Sequence, residues 1–199
     1  RIAKVDVVVN LIWEGLPNRD PSMNRKNLIS QLSILQALES LSFQKLLCAG
    51  SSLEYAESDE PINEEGETNV KDDFALTKIS LYKEAQKKFN DILWPRIFFS
   101  YGVGQHSKSL LNSIFENLKY SQKIHLQDPD GMNDYIYGSD VCSALLSLIT
   151  TPGTQGIYNV GTGRPTSNQA MANMLESLYR MNESLDSNVE YREDKFSSE

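Results

Sequence analysis

Apolar positions along this chain fall into two alternating kinds of run: short and continuous, or longer with a repeat of three to four residues. Val5 to Ile12 is β-branched and nearly continuous, which predicts a parallel strand covered on both faces. Trp13 to Asn18 reads as a loop. From Asn27 to Leu41, residues Leu28, Leu32, Leu35 and Leu38 recur at helical spacing, flanked by Ile29 and Ile34. Phe43 to Ala49 predicts the next strand, and the three together make a right-handed β-α-β unit. Glu57 to Asp73 is an acidic, solvated loop. Phe74 to Asn90 predicts a helix with Leu76, Ile79, Tyr82 and Gln86 succeeding one another by turns and Lys87-Lys88 at its C-terminal end. Asp91 to Ser100 predicts a strand broken by Pro95.

The remainder alternates in the same way. Tyr101 to Gly104 is a turn, Ser109 to Leu118 a helix, Lys123 to Leu126 a short strand and Asp128 to Gly131 a turn. Asp134 to Tyr137 alternates, and Ser139-Asp140 caps a helix over Val141 to Thr150. Ile157 to Val160 predicts a strand and Ser167 caps a last helix, Asn168 to Arg180. From Met181 the chain turns polar and is expected to fray. The class is α/β.

Composition narrows the chemistry. With 199 residues the chain can bury a real core. Its net charge of −8 argues against a nucleic-acid partner, which needs clustered cations. Cys48 and Cys142 read as buried thiols of a reducing, cytoplasmic protein. His106 and His125 are isolated, so no metal site is expected. The first apolar run is too short to span a membrane and contains Asp6, so a strand is preferred to a leader and no membrane partner is expected.

The chemistry-bearing stretch is Lys45–Lys78. Leu46-Leu47-Cys48-Ala49 empties into Gly50-Ser51-Ser52, and Phe74-Ala75-Leu76-Thr77-Lys78 opens the following helix. A buried strand ending in a serine turn, with a helix aiming a lysine back at it, is the site geometry of an open α/β sheet. The stretch resembles the core of the extended short-chain dehydrogenase/reductase family, the NAD(P)-dependent sugar-nucleotide epimerases, dehydratases and reductases. Asp6–Gly15, Arg96–Gly104, Asp134–Tyr137 with Asp140, and Tyr158–Gly163 resemble further segments of that family in the right order. The Trp13–Asn18 loop and the Gly50–Tyr55 turn lean towards the branch acting on nucleotide-linked 4-keto-6-deoxy sugars.

The resemblance implies a Rossmann-type parallel sheet lacking its first strands, with a small C-terminal substrate lobe. Residues 1–103 and 132–158 would form a partial NAD(P)-binding domain, 104–131 and 159–190 the lobe, and 191–199 a tail. It implies Ser51, Lys78 and Phe74 at the catalytic positions. Leu11, Ile12, Trp13, Lys78, Phe98 and Phe99 would face the cofactor, NAD or NADP, and Ser52, Tyr101 and Asn133 the nucleotide sugar. Three departures stand out. Phe74 occupies the family's tyrosine position and offers no proton. Asn133 stands where a diphosphate-clamping arginine is frequent, and Ile12 where alanine is preferred. No glycine-rich cofactor turn occurs, so the chain reads as a fragment or a shortened protein. Tyr191 and Lys195 fit Tyr-x-x-x-Lys, which reads as coincidence in a polar tail. Two functions are expected in competition: an impaired family enzyme, or a non-catalytic relative that pairs with an active homologue. An apolar strand edge at Val5–Ile12 would favour a homo- or hetero-oligomer.

Overall fold

The computed structural model describes residues 5–58, 60–68 and 70–186. Its elements are β1 (Val7–Asn10), α1 (Pro21–Leu38), β2 (Lys45–Cys48), β3 (Gly50–Ser51), a 3-10 turn (Ser52–Glu54), α2 (Asp73–Lys88), β4 (Ile92–Ile97), β5 (Phe99–Tyr101), α3 (Leu110–Lys119), β6 (Met132–Tyr137), α4 (Gly138–Thr150), β7 (Gly156–Val160), β8 (Pro165–Ser167) and α5 (Asn168–Asp186). The chain divides into two compact units. The first runs to His106 and takes up Asn133–Pro165; the second comprises Ser107–Met132 and the chain from Thr166 onward.

In the first unit β1 pairs with β2, β2 and β3 pair with β4, and β4 pairs with β7, every pairing parallel. Strand alternation then sorts the apolar runs into two cores. Leu46, Cys48, Ile92 and Trp94 point to the face covered by Leu35 of α1 and by Leu81 and Ala85 of α2. Leu47, Leu93 and Val160 point the other way, onto Val141 and Leu145 of α4 and Ile136 of β6. This is a Rossmann-type sheet with helices on both faces.

Pro95 does not break its strand. It lies inside a continuous β4, opposite the junction of β2 and β3. Lacking an N–H, it interrupts only the ladder, so one strand is paired as two short pieces either side of Ala49.

Helix ends depart from the apolar pattern where caps decide them. α1 begins six residues before the first predicted position, because Asp20 accepts from Ser22 and Met23 N–H groups and Pro21 starts the helix. α2 is capped by Asp72. Its buried stripe is Phe74, Lys78, Leu81 and Ala85, whereas Leu76 is 44% exposed. α4 opens at Gly138 without a side-chain cap, so Ser139 and Asp140 lie in its first turn.

In the second unit α3 packs on α5, with Phe115 and Tyr179 rings 5.8 Å apart, and buries Ile114 and Ala172. Ser167 caps α5 as expected, its Oγ accepting from Ala170 N–H at 3.1 Å. The helix persists to Asp186 instead of fraying from Met181. Lys123–Leu126 is irregular, not a strand. Residues before Val5, and the Tyr191–Lys195 pattern with the tail, lie outside the described residues. No helix among the described residues is long and apolar enough to cross a membrane.

Candidate active site

The C-terminal ends of β1 and β2 separate at Asn10 and Ala49. Ala49 N–H still donates to the Asn10 carbonyl, but Ile12 N–H, next in line, turns to the Asn10 side-chain oxygen. The Ala49 carbonyl is thereby left for Lys78 Nζ, which donates to it at 2.8 Å. The side chain of Lys78 thus crosses from α2 to the sheet end and is only 6% exposed. Trp13 lays its ring 3.9 Å from the ammonium, and the Phe74 ring centre lies 5.9 Å away. Phe74 meets Trp13 edge-on at 5.4 Å. Burial pulls the Lys78 ammonium down to about 8, with the charges of Glu54 and Cys48 opposing. Burial likewise pushes the Cys48 thiol up to about 11.

The loop carrying Trp13 is held from α1 by amides. Asn27 accepts from Glu14 N–H at 3.0 Å and donates to the Glu14 carbonyl at 2.9 Å. Gln31 donates to the Ile12 carbonyl at 2.7 Å and accepts from Asn10 at 2.6 Å. Asn24, Asn27 and Gln31 form a buried amide stripe beside Leu35. Within this frame Trp13 Nε1 is buried without an acceptor, a state that costs about 1–3 kcal/mol.

Ser51 lies beside this cluster at the end of β3. Its Oγ accepts from Leu53 N–H at 3.3 Å while Glu54 accepts from Ser51 N–H at 2.7 Å, a capping box over Ser51–Glu54. Glu54 is fully buried and also accepts from Trp94 Nε1 at 3.1 and 3.0 Å and from Arg96 Nε at 2.9 Å. A β-carbon at Gly50 would collide with the Trp94 indole nitrogen, so glycine is required there. Arg96 stacks over the Tyr55 ring at 4.2 Å, and Tyr55 donates to Asn159 Oδ1 at 2.6 Å. Asn159 in turn receives the loop before α2, through Glu64 and the Ile62 carbonyl. Part of that acidic loop is therefore pinned to β7, not wholly solvated.

The other anticipated positions spread outward. Leu11 and Ile12 are 54% and 63% exposed at the end of β1. Ser52 is half-buried in the turn, and Phe98 half-buried between β4 and β5. Phe99 is 41% exposed, with its ring 6.1 Å from Tyr135. Tyr101 packs edge-on against Tyr137 at 5.4 Å. Asn133 is half-buried and hydrogen-bonds the Tyr135 phenol. Cys48 is buried as expected, but Cys142 is exposed.

Three contributors went unread in the sequence. Glu54 had a signal, the Ser-x-x-Glu of a capping box. The amide stripe had one too, in the helical spacing of Asn24, Asn27 and Gln31. Asp134 had none: its carboxylate accepts from Thr162 N–H at 2.9 Å and Gly163 N–H at 2.8 Å. The Gly161-Thr162-Gly163 turn therefore spends its donors on the protein's own carboxylate.

Comparison with known proteins gives the geometry a family. The profile described as NAD dependent epimerase/dehydratase family matches residues 1–161. A search of curated proteins finds no match. Among solved structures, a tyrosine-to-phenylalanine variant of UDP-glucuronic acid 4-epimerase from Bacillus cereus, with UDP-4-deoxy-4-fluoro-glucuronic acid and NAD, is similar at 19% identity. Its TM-score is 0.77, over 87% of this chain and 59% of that one. UDP-glucose 4-epimerase from Thermotoga maritima, with UDP-glucose, is similar at 18% identity and a TM-score of 0.77, over 88% and 61%. TunA, an NAD dependent NDP-hexosamine 5,6-dehydratase involved in tunicamycin biosynthesis, is similar at 20% identity and a TM-score of 0.77, over 87% and 60%. The chain spans less than two thirds of the length of each of these proteins. Their identity is low and their likeness is one of fold, but the profile covers most of the described sheet: the chain belongs to the NAD dependent epimerase/dehydratase family.

Proposed function

We propose that the chain is a sugar-nucleotide epimerase or reductase homologue that keeps the lysine side of the NAD(P) site and is impaired in proton transfer. The observation that carries this reading is the pairing of a buried, under-partnered Lys78 with a buried phenyl ring, Phe74, one helical turn earlier on α2. Of the three N–H bonds of the Lys78 ammonium, one goes to the Ala49 carbonyl. The other two suit the hydroxyls of a ribose, so the donor set fits a nicotinamide nucleotide. When bound, that cofactor supplies hydride exchange.

In this reading the chain's own residues orient and hold. Lys78 binds the ribose diol. Ser51 keeps its O–H for a substrate oxygen, because among the described residues its Oγ is engaged only as an acceptor for Leu53 N–H. Phe74 keeps the shape of the site and has no proton to give, a loss worth about 10²–10⁴-fold in rate. Leu11, Ile12, Phe98 and Phe99 would line the cofactor side, and Ser52, Tyr101 and Asn133 the sugar side. The similar Tyr-to-Phe epimerase variant was solved with both NAD and a UDP-sugar, which supports binding in this fold after a phenol is lost. The substrate class is a nucleotide-linked hexose, with 4-keto-6-deoxy sugars favoured by the Trp13–Asn18 loop, and the setting is cytoplasmic.

Phe74 also favours a second reading, a non-catalytic subunit that pairs with an active homologue. Titration of NADH and NADPH, following nicotinamide fluorescence, tests the first. Saturation in the micromolar range is expected for one of the two. No binding at millimolar concentration of either would overturn the cofactor assignment.

A further inference from the structure

We propose that Trp13 is a positioning residue that covers Lys78: its indole face holds the ammonium against the Ala49 carbonyl and must rotate aside before a ligand hydroxyl reaches it. The inference rests on the reading of Lys78 as the ribose-binding group. Three observations lead to it. First, Lys78 is 6% exposed although its side chain reaches the open end of the sheet, and the ring across it is that of Trp13, 3.9 Å away. An ammonium in that position offers no open N–H to an incoming diol. Second, Trp13 is itself only half-buried, and its Nε1 has no acceptor. Packing and the ammonium against its face therefore hold the indole, and rotation breaks no hydrogen bond; it releases a stranded donor.

Third, the backbone on both sides of Trp13 is fixed. Asn10 and Gln31 hold Ile12, and Asn27 holds Glu14 through two hydrogen bonds. Movement is thus confined to the side-chain torsions of one residue and needs no loop opening. Phe74, edge-on to the indole, supplies the wall against which it rests. The ring face of an aromatic residue attracts a cation, so the cover also sets where the ammonium sits and how much water it sees.

The test is acetic anhydride labelling of the full chain across pH 7 to 10, reading each lysine by mass spectrometry against exposed lysines such as Lys83. In the wild type Lys78 is expected to react more slowly than Lys83 once both are corrected for deprotonation, because Lys78 is buried and Lys83 exposed. Trp13→Ala is expected to remove that protection and move the Lys78 midpoint up from about 8 towards the ordinary 10.5 as water returns. Trp13→Phe keeps an aromatic face and is expected to restore most of the protection. Trp13→Leu keeps bulk without a π-face, serves if the alanine variant fails to fold, and is expected to shift the midpoint downward, because the ammonium stays desolvated and loses the ring's attraction. Unchanged labelling and midpoint in Trp13→Ala, or in Trp13→Leu should that be the folded variant, would overturn the cover. NAD titration of the same proteins separates the two layers. Tighter binding in Trp13→Ala supports the gate, and equal binding overturns it. Exposed Lys78 with no NAD bound by any variant would overturn the cofactor reading and leave the cover standing.

Discussion

Arg96 and Lys78 are two buried cations at the same end of one sheet, and their surroundings answer desolvation in opposite ways. Arg96 meets a fully buried carboxylate, Glu54, at 2.9 Å and lies over the Tyr55 ring. Burial lowers its affinity for the proton, but hydrogen bonds with Tyr55 and Glu54 and the Glu54 charge outweigh this and push it up. Lys78 has a carbonyl and an indole face, no contacting carboxylate among the described residues, and is pulled down to about 8. A charge paired with a buried carboxylate is fixed in place and serves the architecture, although Arg96 Nη1 is itself buried without a partner among the described residues. A charge with no carboxylate against it is poised to change protonation or accept a ligand, which is where chemistry is sought.

The largest expected effect breaks the Glu54–Arg96 pair. Glu54→Ala strands Arg96 and the Trp94 indole in the core and should cost about 3–5 kcal/mol in urea unfolding. Replacing both partners together, Glu54→Leu with Arg96→Met, should recover much of that loss, because the buried charges leave as a pair. A third cation sharpens the contrast. Lys45 Nζ donates to the Ile149 and Thr151 carbonyls at 3.2 and 2.6 Å and to Thr154 Oγ1 at 2.8 Å, capping the end of α4. Lys45→Met should lose about 1–2 kcal/mol by thermal melting, since it removes these three hydrogen bonds and the favourable helix-end charge.

The smallest effect is a slope with pH, and it belongs to Lys78. Lys78 titrates at about 8 folded and 10.5 unfolded, so the unfolded chain holds the extra proton in between and stability rises with pH from about 8. Cys48 titrates at about 11 folded and 9.0 unfolded, so its contribution falls with pH from about 9. From pH 8 to 9 the Lys78 contribution outweighs that of Cys48, and the free energy of unfolding should climb by about 0.5–1 kcal/mol across that interval. Lys78→Met should flatten that rise, as read from denaturant midpoints at the two pH values.

Much of the sheet was legible in the sequence because its strands are nearly continuous apolar runs, although only β2 and β4 are largely buried and Val9 of β1, expected to be covered on both faces, is 46% exposed. Val5–Ile12, Phe43–Ala49 and Ile157–Val160 announce themselves as continuous apolar runs, and β1, β2 and β7 lie within or one residue beyond them. What the apolar pattern missed is what polar groups decide. α1 starts at Pro21 because of Asp20, and its inward face includes amides, a choice no hydrophobic count could make. Lys123–Leu126 reads as a strand by composition but has no ladder to join.

The site divides along the same line. Ser51, Phe74 and Lys78 were legible by their spacing and by family resemblance. The position of Trp13 beside them was named, but not that its ring lies on Lys78, because a contact between a loop and a helix some sixty residues later is set only by the packed sheet. The Glu54–Trp94–Arg96 cluster likewise gathers residues from a turn and a strand that meet only across the β3–β4 pairing.

In the proposed function, Phe74 beside Lys78 costs this chain its proton donor while leaving the binding geometry in place. The most direct measurement is turnover of nucleotide-linked keto-sugars by NAD(P)H oxidation at saturating cofactor, wild type against Phe74→Tyr. The account predicts that the phenol raises the rate by about 10²-fold or more with cofactor affinity unchanged. Turnover by the wild type equal to that of Phe74→Tyr would contradict it.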